Sequence, residues 1–281
     1  MLDMDMLLAR AGNFTGSQNH RLMAGWSKPK PKLNIFEGAL NVYEAIKELQ
    51  ANGEKILVGT INAHTGLKFN GAQIKSVQDI IKAEKVPQGL ITYAEEKALE
   101  ELFNVDPSLN FSTVHTRNGE EREVECMEIL SEKTGIDFIN TGENQAHIHV
   151  NGVGCTPDGI AIDDIDMIYT GAEVKCKSPL EHAHSLFINN TNDLKEQAFD
   201  HFVQCQTGML VTGSDHWYFA NYNPYAKSEL LQFKYIVVQR DDAFIAIMQE
   251  RINLAKEIKA EFLAKVLENV AKPAPSQAEA A

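Results

Sequence analysis

Residues 155–177, CTPDGIAIDDIDMIYTGAEVKCK, constrain this chain more than any other stretch. Two runs of β-branched and small apolar residues, GIAI and MIYTGAEVK, flank the acidic turn DDID, which predicts an antiparallel strand pair. Asp158 lies in a Pro-Asp-Gly turn that opens the first strand. Glu173 and Lys175 are two apart on the second, so both point to one face, and Val174 between them points to the core. Two carboxylates so placed can hold a hard cation through oxygen ligands, with the Val174 carbonyl as a third donor. Lys175 beside that cation could orient or help deprotonate an attacking water, whose pKa the metal lowers. A salt-bridged Glu–Lys pair behind a structural turn explains the same PD-x14-E-x-K pattern equally well.

The rest of the chain gives this strand pair its context. Helices are expected at 15–25 (Thr15 or Ser17 as cap, Gly25 as stop), 36–51, 91–103 and 119–134. Residues 54–85 mix β-like KILVGTI with helix-like SVQDIIKAEK. Strands follow at 136–150, 158–162 and 167–177, a polar segment at 178–193 and a helix at 194–211. Two more strands are expected at 216–222 and 232–240. The last helix, 241–270, has apolar residues at 244, 248, 252, 255, 258, 262 and 266. The order is that of an α/β core with an N-terminal helical elaboration. We read 1–270 as a single domain, in which a helical elaboration (1–118) precedes a core (119–240) and a C-terminal helix (241–270); the tail 271–281 is expected to be disordered.

Charge and cysteine usage narrow the classes. The net charge of −13 argues against nonspecific phosphate binding, yet 6–36 contains no acid and five bases, Arg10, Arg21, Lys28, Lys30 and Lys32. That segment could present a local DNA-binding face or simply be a solvated loop. The KPKPK run at 28–32 cannot be helix interior. No apolar run approaches the length of a membrane span, and the N-terminus has acids where an export signal has bases, so a cytoplasmic protein is expected. The four cysteines are too far apart for a disulfide framework or zinc finger. His147-x-His149 with Cys155 or Cys176 is a weak zinc pattern, and His182-x-His184 is read as an exposed loop pair. The acids 163, 164 and 166 are read as a hairpin turn. No phosphate-binding G-x-x-x-x-G-K-[ST] occurs.

Further motifs stand in a fixed order around the strand pair: Arg10 before Phe14-Thr15-Gly16-Ser17, Gly119-x-x-x-Glu123, Thr156-Pro157-Asp158-Gly159, Glu173-x-Lys175-Cys176, Gln204-x-Gln206, and Trp217-Tyr218-Phe219-Ala220-Asn221-Tyr222-Asn223-Pro224. Over about residues 7–265 this ensemble resembles the phage lambda exonuclease family, the YqaJ-type viral recombinases. The resemblance implies a restriction-endonuclease-like α/β fold, with a central mixed sheet flanked by helices. It implies Glu123, Asp158 and Glu173 as ligands for Mg²⁺, with Mn²⁺ able to substitute, Lys175 as catalytic lysine and Gln204 lining the site. It implies Arg10, Ser17 and Thr156 (where the family has serine) as a pocket for the 5′-terminal phosphate. Two departures are His201 in place of a tyrosine and Lys177-Ser178-Pro179 after the strand.

The expected activity is 5′-to-3′ digestion of one strand of duplex DNA from an end. Members of that family form rings, typically trimers, and work beside a single-strand annealing protein in phage or prophage recombination in the host cytoplasm. The alternatives are a structure-specific or repair endonuclease of the same fold and a catalytically silent DNA-binding module. On the residues alone, Gln197, His201, Gln204 and Gly208 share one face of the 194–211 helix, whereas Gln206 falls on its apolar side and is read as structural.

Overall fold

In the computed structural model the described residues are 8–26, 35–84, 86–103 and 114–271. They group into two compact units, one spanning 25–87 and the other comprising 1–24 with 88–281. Lys28, Lys30, Lys32 and the tail from 272 lie outside the described residues, as does the KPKPK run.

The 25–87 unit contains helices α1 (Ala39–Ala51), α2 (Val58–Thr65) and α3 (Gly71–Glu84). Their apolar faces meet at Val42, Ile46, Leu49, Ile61 and Val77, with Phe69 from the loop between α2 and α3 joining them. The run KILVGTI, β-like by composition, is therefore not a strand. Leu57 is extended, and from Val58 onward the chain is helical. Burying Ile61 completely against the neighbouring helices outweighs the weak local preference of Val58 and Ile61 for extended backbone. Asn62 closes the following loop, accepting from the Phe69 N–H at 2.8 Å and donating to its carbonyl at 3.2 Å.

The larger unit is mixed α/β, as the sequence implies, but its strands form two sheets among the described residues. One joins β1 (Phe14–Thr15), β2 (Ile148–Val150) and β3 (Val153–Cys155) in the order β1-β3-β2. β1 runs parallel to β3, and β2 antiparallel to it. The other contains β4 (Gly159–Ile162), β5 (Ile168–Lys175), β6 (His216–Tyr222) and β7 (Phe233–Gln239) in that order. Only its central pair, β5 and β6, is parallel.

Four expectations change. Phe14 and Gly16 donate to the carbonyls of Gly152 and Gly154, both at 2.9 Å, so the chain stays extended there and only Asn19–Met23 coils, as a 3-10 turn. Thr15 thus belongs to a strand, and neither it nor Ser17 caps a helix. The 136–150 run is strand only at its end, because left-handed Asn140 and Gly142 break it. The polar segment from 178 contains helix α6 (Pro179–Ser185), closed by a capping box between Ser178 and Glu181. The helix expected at 194–211 is two: α7 (Thr191–Gln197), capped by Asn190, and α8 (Phe199–Thr212), separated at Ala198, whose backbone leaves the helical region.

Helices cover both faces of the four-stranded sheet. From α5 (Val114–Thr134), which follows α4 (Gln88–Leu102), Cys126, Met127 and Leu130 pack on Ala172, Val174, Ala220 and Tyr222. On the opposite face the Trp217 indole is wedged between β5 and α8. A Cβ added at Gly208 would lie 2.7 Å from the ring, and one at Gly171 closer still. Two glycines therefore let α8 approach the strand that carries Glu173 and Lys175. After the short α9 (Glu229–Gln232), the last described helix, α10 (Asp242–Ala271), is anchored by Arg251 donating to the carbonyls of Leu22 and Ala24. No helix among the described residues is long and apolar enough to cross a membrane.

Candidate active site

Strand alternation sets the first wall of the site. Val174, fully buried, joins the core beneath α5, so Glu173 and Lys175 face the α8 side. The turn before β4 brings Asp158 to their side: its N–H donates to the Ala172 carbonyl at 3.0 Å, and its Oδ2 accepts from the Val174 N–H at 2.7 Å. Its other oxygen, Oδ1, accepts from the Gln145 side-chain amide at 3.0 Å. Lys175 is ion-paired with Glu173.

These groups open into a cavity of about 160 Å³, whose walls also include Arg10, Ser17, Thr156 and Gln204. Seven residues singled out in the sequence thus converge from five separate stretches of chain. Two do not line the cavity. Val174 directs its side chain away, leaving only its backbone nearby. Glu123 sits one turn before Cys126 on α5, and its charge reaches Glu173 and Lys175. Among the described residues no three His, Cys, Asp or Glu side chains are grouped tightly enough to hold an ion as they stand.

No family model matches the chain. A 66-residue stretch, 24% of the chain, is 38% identical to the uncharacterised protein ExoD of Escherichia coli (strain K12), of which it covers 74%. The chain belongs to the family of ExoD. Solved structures extend the likeness over the fold. This ExoD relative matches the alkaline exonuclease LHK-Exo from Laribacter hongkongensis at a TM-score of 0.59 and 17% identity, covering 96% of this chain and 100% of that one. LHK-Exo in complex with dAMP gives 0.52, again at 17% identity, over 95% of each chain. A phage related exonuclease from Haemophilus somnus 129PT gives 0.50 at 15% identity, over 66% of this chain and 87% of that one. At these identities the shared property is the fold.

Electrostatics in the ExoD relative's cavity follow from burial. Glu173 is 3% exposed, and desolvation pushes its carboxyl up to about 8, against the opposing pull of Lys175; the charges of Asp158 and Glu123 add to the rise. Burial also raises Asp158, partly countered by Lys175 and by the hydrogen bonds from Val174 and Gln145. Burial disfavours the Lys175 ammonium, but Glu173 and Asp158 outweigh it, so the lysine stays charged. With Lys175 charged, the two carboxyls retain a proton well above the usual carboxylate range. The retained proton marks a site of negative potential, where a hard cation could stand in its place; buried oxygen donors are the set that suits Mg²⁺.

Around this centre the remaining residues take different places. Arg10 is partly buried, which lowers its pKa against the opposing effect of Glu100. Thr156 Oγ1 lies 3.1 Å from His147 Nδ1. Desolvation, with Arg10 nearby, lowers His147 to about 4, so it is neutral at physiological pH. The zinc pattern is not assembled: His147 turns to Thr156, and Cys176 packs against the Cys126 cluster beneath the sheet. His182, expected to be exposed, is buried on α6 and bonds the Leu231 carbonyl at 2.7 Å. Gln206 is fully buried between the Gln239 carbonyl (2.8 Å) and the Asp241 N–H (2.9 Å), which makes it structural. His201, at the position of the tyrosine noted above, stacks on Phe219 with ring centroids 5.4 Å apart. Sequence reasoning missed Gln145 and His147 as members of the site. The only available signal was their i, i+2 spacing, which has no specificity by itself.

Proposed function

We propose that this ExoD relative is a divalent-metal-dependent deoxyribonuclease that digests one strand of duplex DNA from its 5′ end, leaving 3′ single strands. One observation carries the reading: a single cavity joins an Asp158–Glu173–Lys175 wall to an Arg10–Ser17–Thr156 wall. The first suits a hard cation and a water, the second a phosphate. Their conjunction has a direct use at a DNA terminus. The exonuclease names of the proteins sharing the fold support it.

In this mechanism Asp158 and Glu173, with the Val174 carbonyl and Glu123, would hold Mg²⁺ or Mn²⁺. Bound there, the metal supplies a water of lowered pKa and charge stabilisation at the scissile phosphate. Lys175, kept charged by Glu173 and Asp158, orients the attacking water through its ammonium. Gln204, projecting from α8, offers an amide to the same space. Arg10 provides charge and paired donors for a terminal phosphate, and the hydroxyls of Ser17 and Thr156 add neutral ones. Holding that phosphate a fixed distance from the carboxylates would make digestion directional. The reading extends to assembly. A closed ring, a trimer by the resemblance, would gather the basic 10–32 segments, including Lys28, Lys30 and Lys32, around the duplex. A single-strand annealing protein would receive the product strand in a phage-derived recombination reaction in the host cytoplasm.

The test is a 5′-phosphorylated linear duplex labelled separately on each strand, incubated with Mg²⁺ or with EDTA, beside closed circular DNA. Progressive loss of the 5′-ended strand in Mg²⁺ alone, with the circle intact, is expected. Cutting of the circle would replace this reading with an endonuclease of the same fold, and no cleavage of any substrate would favour a DNA-binding module.

A further inference from the structure

The turn Thr156-Pro157-Asp158 carries one residue for each wall of the cavity. Thr156 belongs to the phosphate wall and Asp158 to the carboxylate wall, and the proline between them leaves that residue without an N–H with which to fix the turn. Both residues are instead met by one short segment, Gln145-Ala146-His147, which enters β2 from the 3-10 turn Gly142–Asn144. Gln145 Nε2 donates to Asp158 Oδ1 at 3.0 Å. Two residues on, His147 Nδ1 pairs with Thr156 Oγ1 at 3.1 Å. The i, i+2 spacing matches the i, i+2 spacing of the residues they hold.

Space has been made for this arrangement. His147 lies so close to Gly154 that a Cβ there would overlap the imidazole. Its Nε2 is buried without a hydrogen-bond partner. A buried unpaired N–H is rarer than a buried unpaired acceptor, which favours the tautomer with the proton on Nδ1. Nδ1 then donates to Thr156, and the hydroxyl proton of Thr156 is left to point onward into the cavity. Likewise, with Oδ2 of Asp158 fixed by the Val174 N–H, the Gln145 amide sets the remaining rotation of the carboxylate.

We infer that Gln145 and His147 are a paired brace of positioning residues, Gln145 aiming Asp158 at a divalent cation and His147 aiming the Thr156 hydroxyl at a terminal phosphate. The inference rests on the nuclease reading above, and it divides two functions between neighbouring residues that touch neither metal nor DNA. It makes a crossed prediction that general loosening of the loop would not reproduce.

The whole 281-residue chain is used for two binding measurements that need no turnover. Mn²⁺ affinity is read by titration calorimetry. The preference for a 5′-phosphorylated over a 5′-hydroxyl duplex is read by fluorescence anisotropy in EDTA. Gln145→Ala should weaken Mn²⁺ by about ten- to a hundredfold, the usual effect of losing a partner behind a metal ligand, and leave the end preference as it is. His147→Ala should leave Mn²⁺ affinity unchanged and reduce the end preference by about two- to tenfold, the value of one neutral hydrogen bond. His147→Asn, whose amide can place a donor near the position of Nδ1, should restore that preference; this variant separates loss of the hydrogen bond from loss of the fold. If each variant shifts both measurements, or neither shifts any, the brace is overturned while the nuclease reading stands. A wild-type chain with no Mn²⁺ affinity and no end preference would overturn both.

Discussion

Lys175 is ion-paired with Glu173, two residues before it on β5, and the pair opens onto a cavity instead of being sealed in the core. The lysine side chain is 24% exposed and the glutamate 4%. A purely structural pair on one strand would need no third charge, yet Asp158 is held beside it by two hydrogen bonds and Glu123 acts on it from α5. Three acids against one lysine are balanced only because Glu173 keeps a proton that a carboxyl in water would have lost. A divalent cation held by these oxygens would take the place of that proton.

A pH dependence of stability follows from this. The carboxyl of Glu173 is raised from 4.5 to about 8 in the folded chain. Between those values the folded state binds the proton that the unfolded state has lost, so stability present below pH 4.5 is lost progressively as pH rises through 8. Thermal unfolding in EDTA should therefore show Tm falling from pH 5 to pH 9, and Glu173→Gln should flatten that slope. Added Mg²⁺ should raise Tm more at pH 8 than at pH 5.5. Parallel curves for the two chains would mean that Glu173 is ionised in the fold throughout this range.

Lys175 separates chemistry from metal binding. Removing its ammonium takes away the group placed to handle the proton of the attacking water, a contribution of roughly 10² to 10⁴ in rate. Lys175→Ala should lose activity by that factor while binding Mg²⁺ at least as well as the parent, since a competing positive charge is gone. Lys175→Arg should not restore the rate, because the larger, planar guanidinium cannot place a single donor where the compact ammonium meets the water. Calorimetry showing that Mg²⁺ binding disappears in Lys175→Ala would reassign the residue to holding Glu173 in place.

How much of this was legible in the sequence depends on how local the cause is. β5 and the positions of Glu173 and Lys175 follow from strand alternation, which needs only neighbours. Asp158 followed from its turn. The convergence of Arg10 and Ser17 with them is different in kind: 140 or so residues separate them, and it was the motif order, not any physical periodicity, that placed them together. The errors lie where tertiary packing overrides local preference. Phe14–Thr15 is a strand because β3 offers an edge to it, and 58–65 is helical because Ile61 is buried between helices. Gln145 was invisible because a lone amide in a loop acquires meaning only when its partner, Asp158, is seen 3.0 Å away.

The wedge of Trp217 gives a prediction about stability. Gly208 faces the indole so closely that a methyl group would lie 2.7 Å from the ring, and Trp217 is fully enclosed, with Gly171 on its far side. The ring cannot retreat without displacing β5. Gly208→Ala should therefore cost about 1–3 kcal/mol, the range for overpacking a filled core, despite the better helix propensity of alanine. Chemical denaturation would show it as a lower midpoint with an unchanged slope. An unaltered or raised midpoint would show that α8 can shift outward freely.

Arg10 gives the test that best separates an end-resecting exonuclease from another nuclease on the same fold. It reaches the cavity from before β1, lies far in sequence from the carboxylates, and is not needed to hold a cation. Its neighbourhood nonetheless suits an anion: Ser17 and the Thr156 hydroxyl line the same space, and partial burial strengthens any ion pair formed there. Losing one charge-assisted contact costs about 1.5–3 kcal/mol, which corresponds to a drop of roughly ten- to a hundredfold. Arg10→Ala should show that drop in kcat/KM on 5′-phosphorylated duplex ends and almost none on 5′-hydroxyl ends, so that the preference between them largely vanishes. Metal affinity should be unchanged, because Asp158 and Glu173 keep their partners. If both ends slow to the same extent, Arg10 serves general DNA binding or folding, and directionality must come from another feature of the chain.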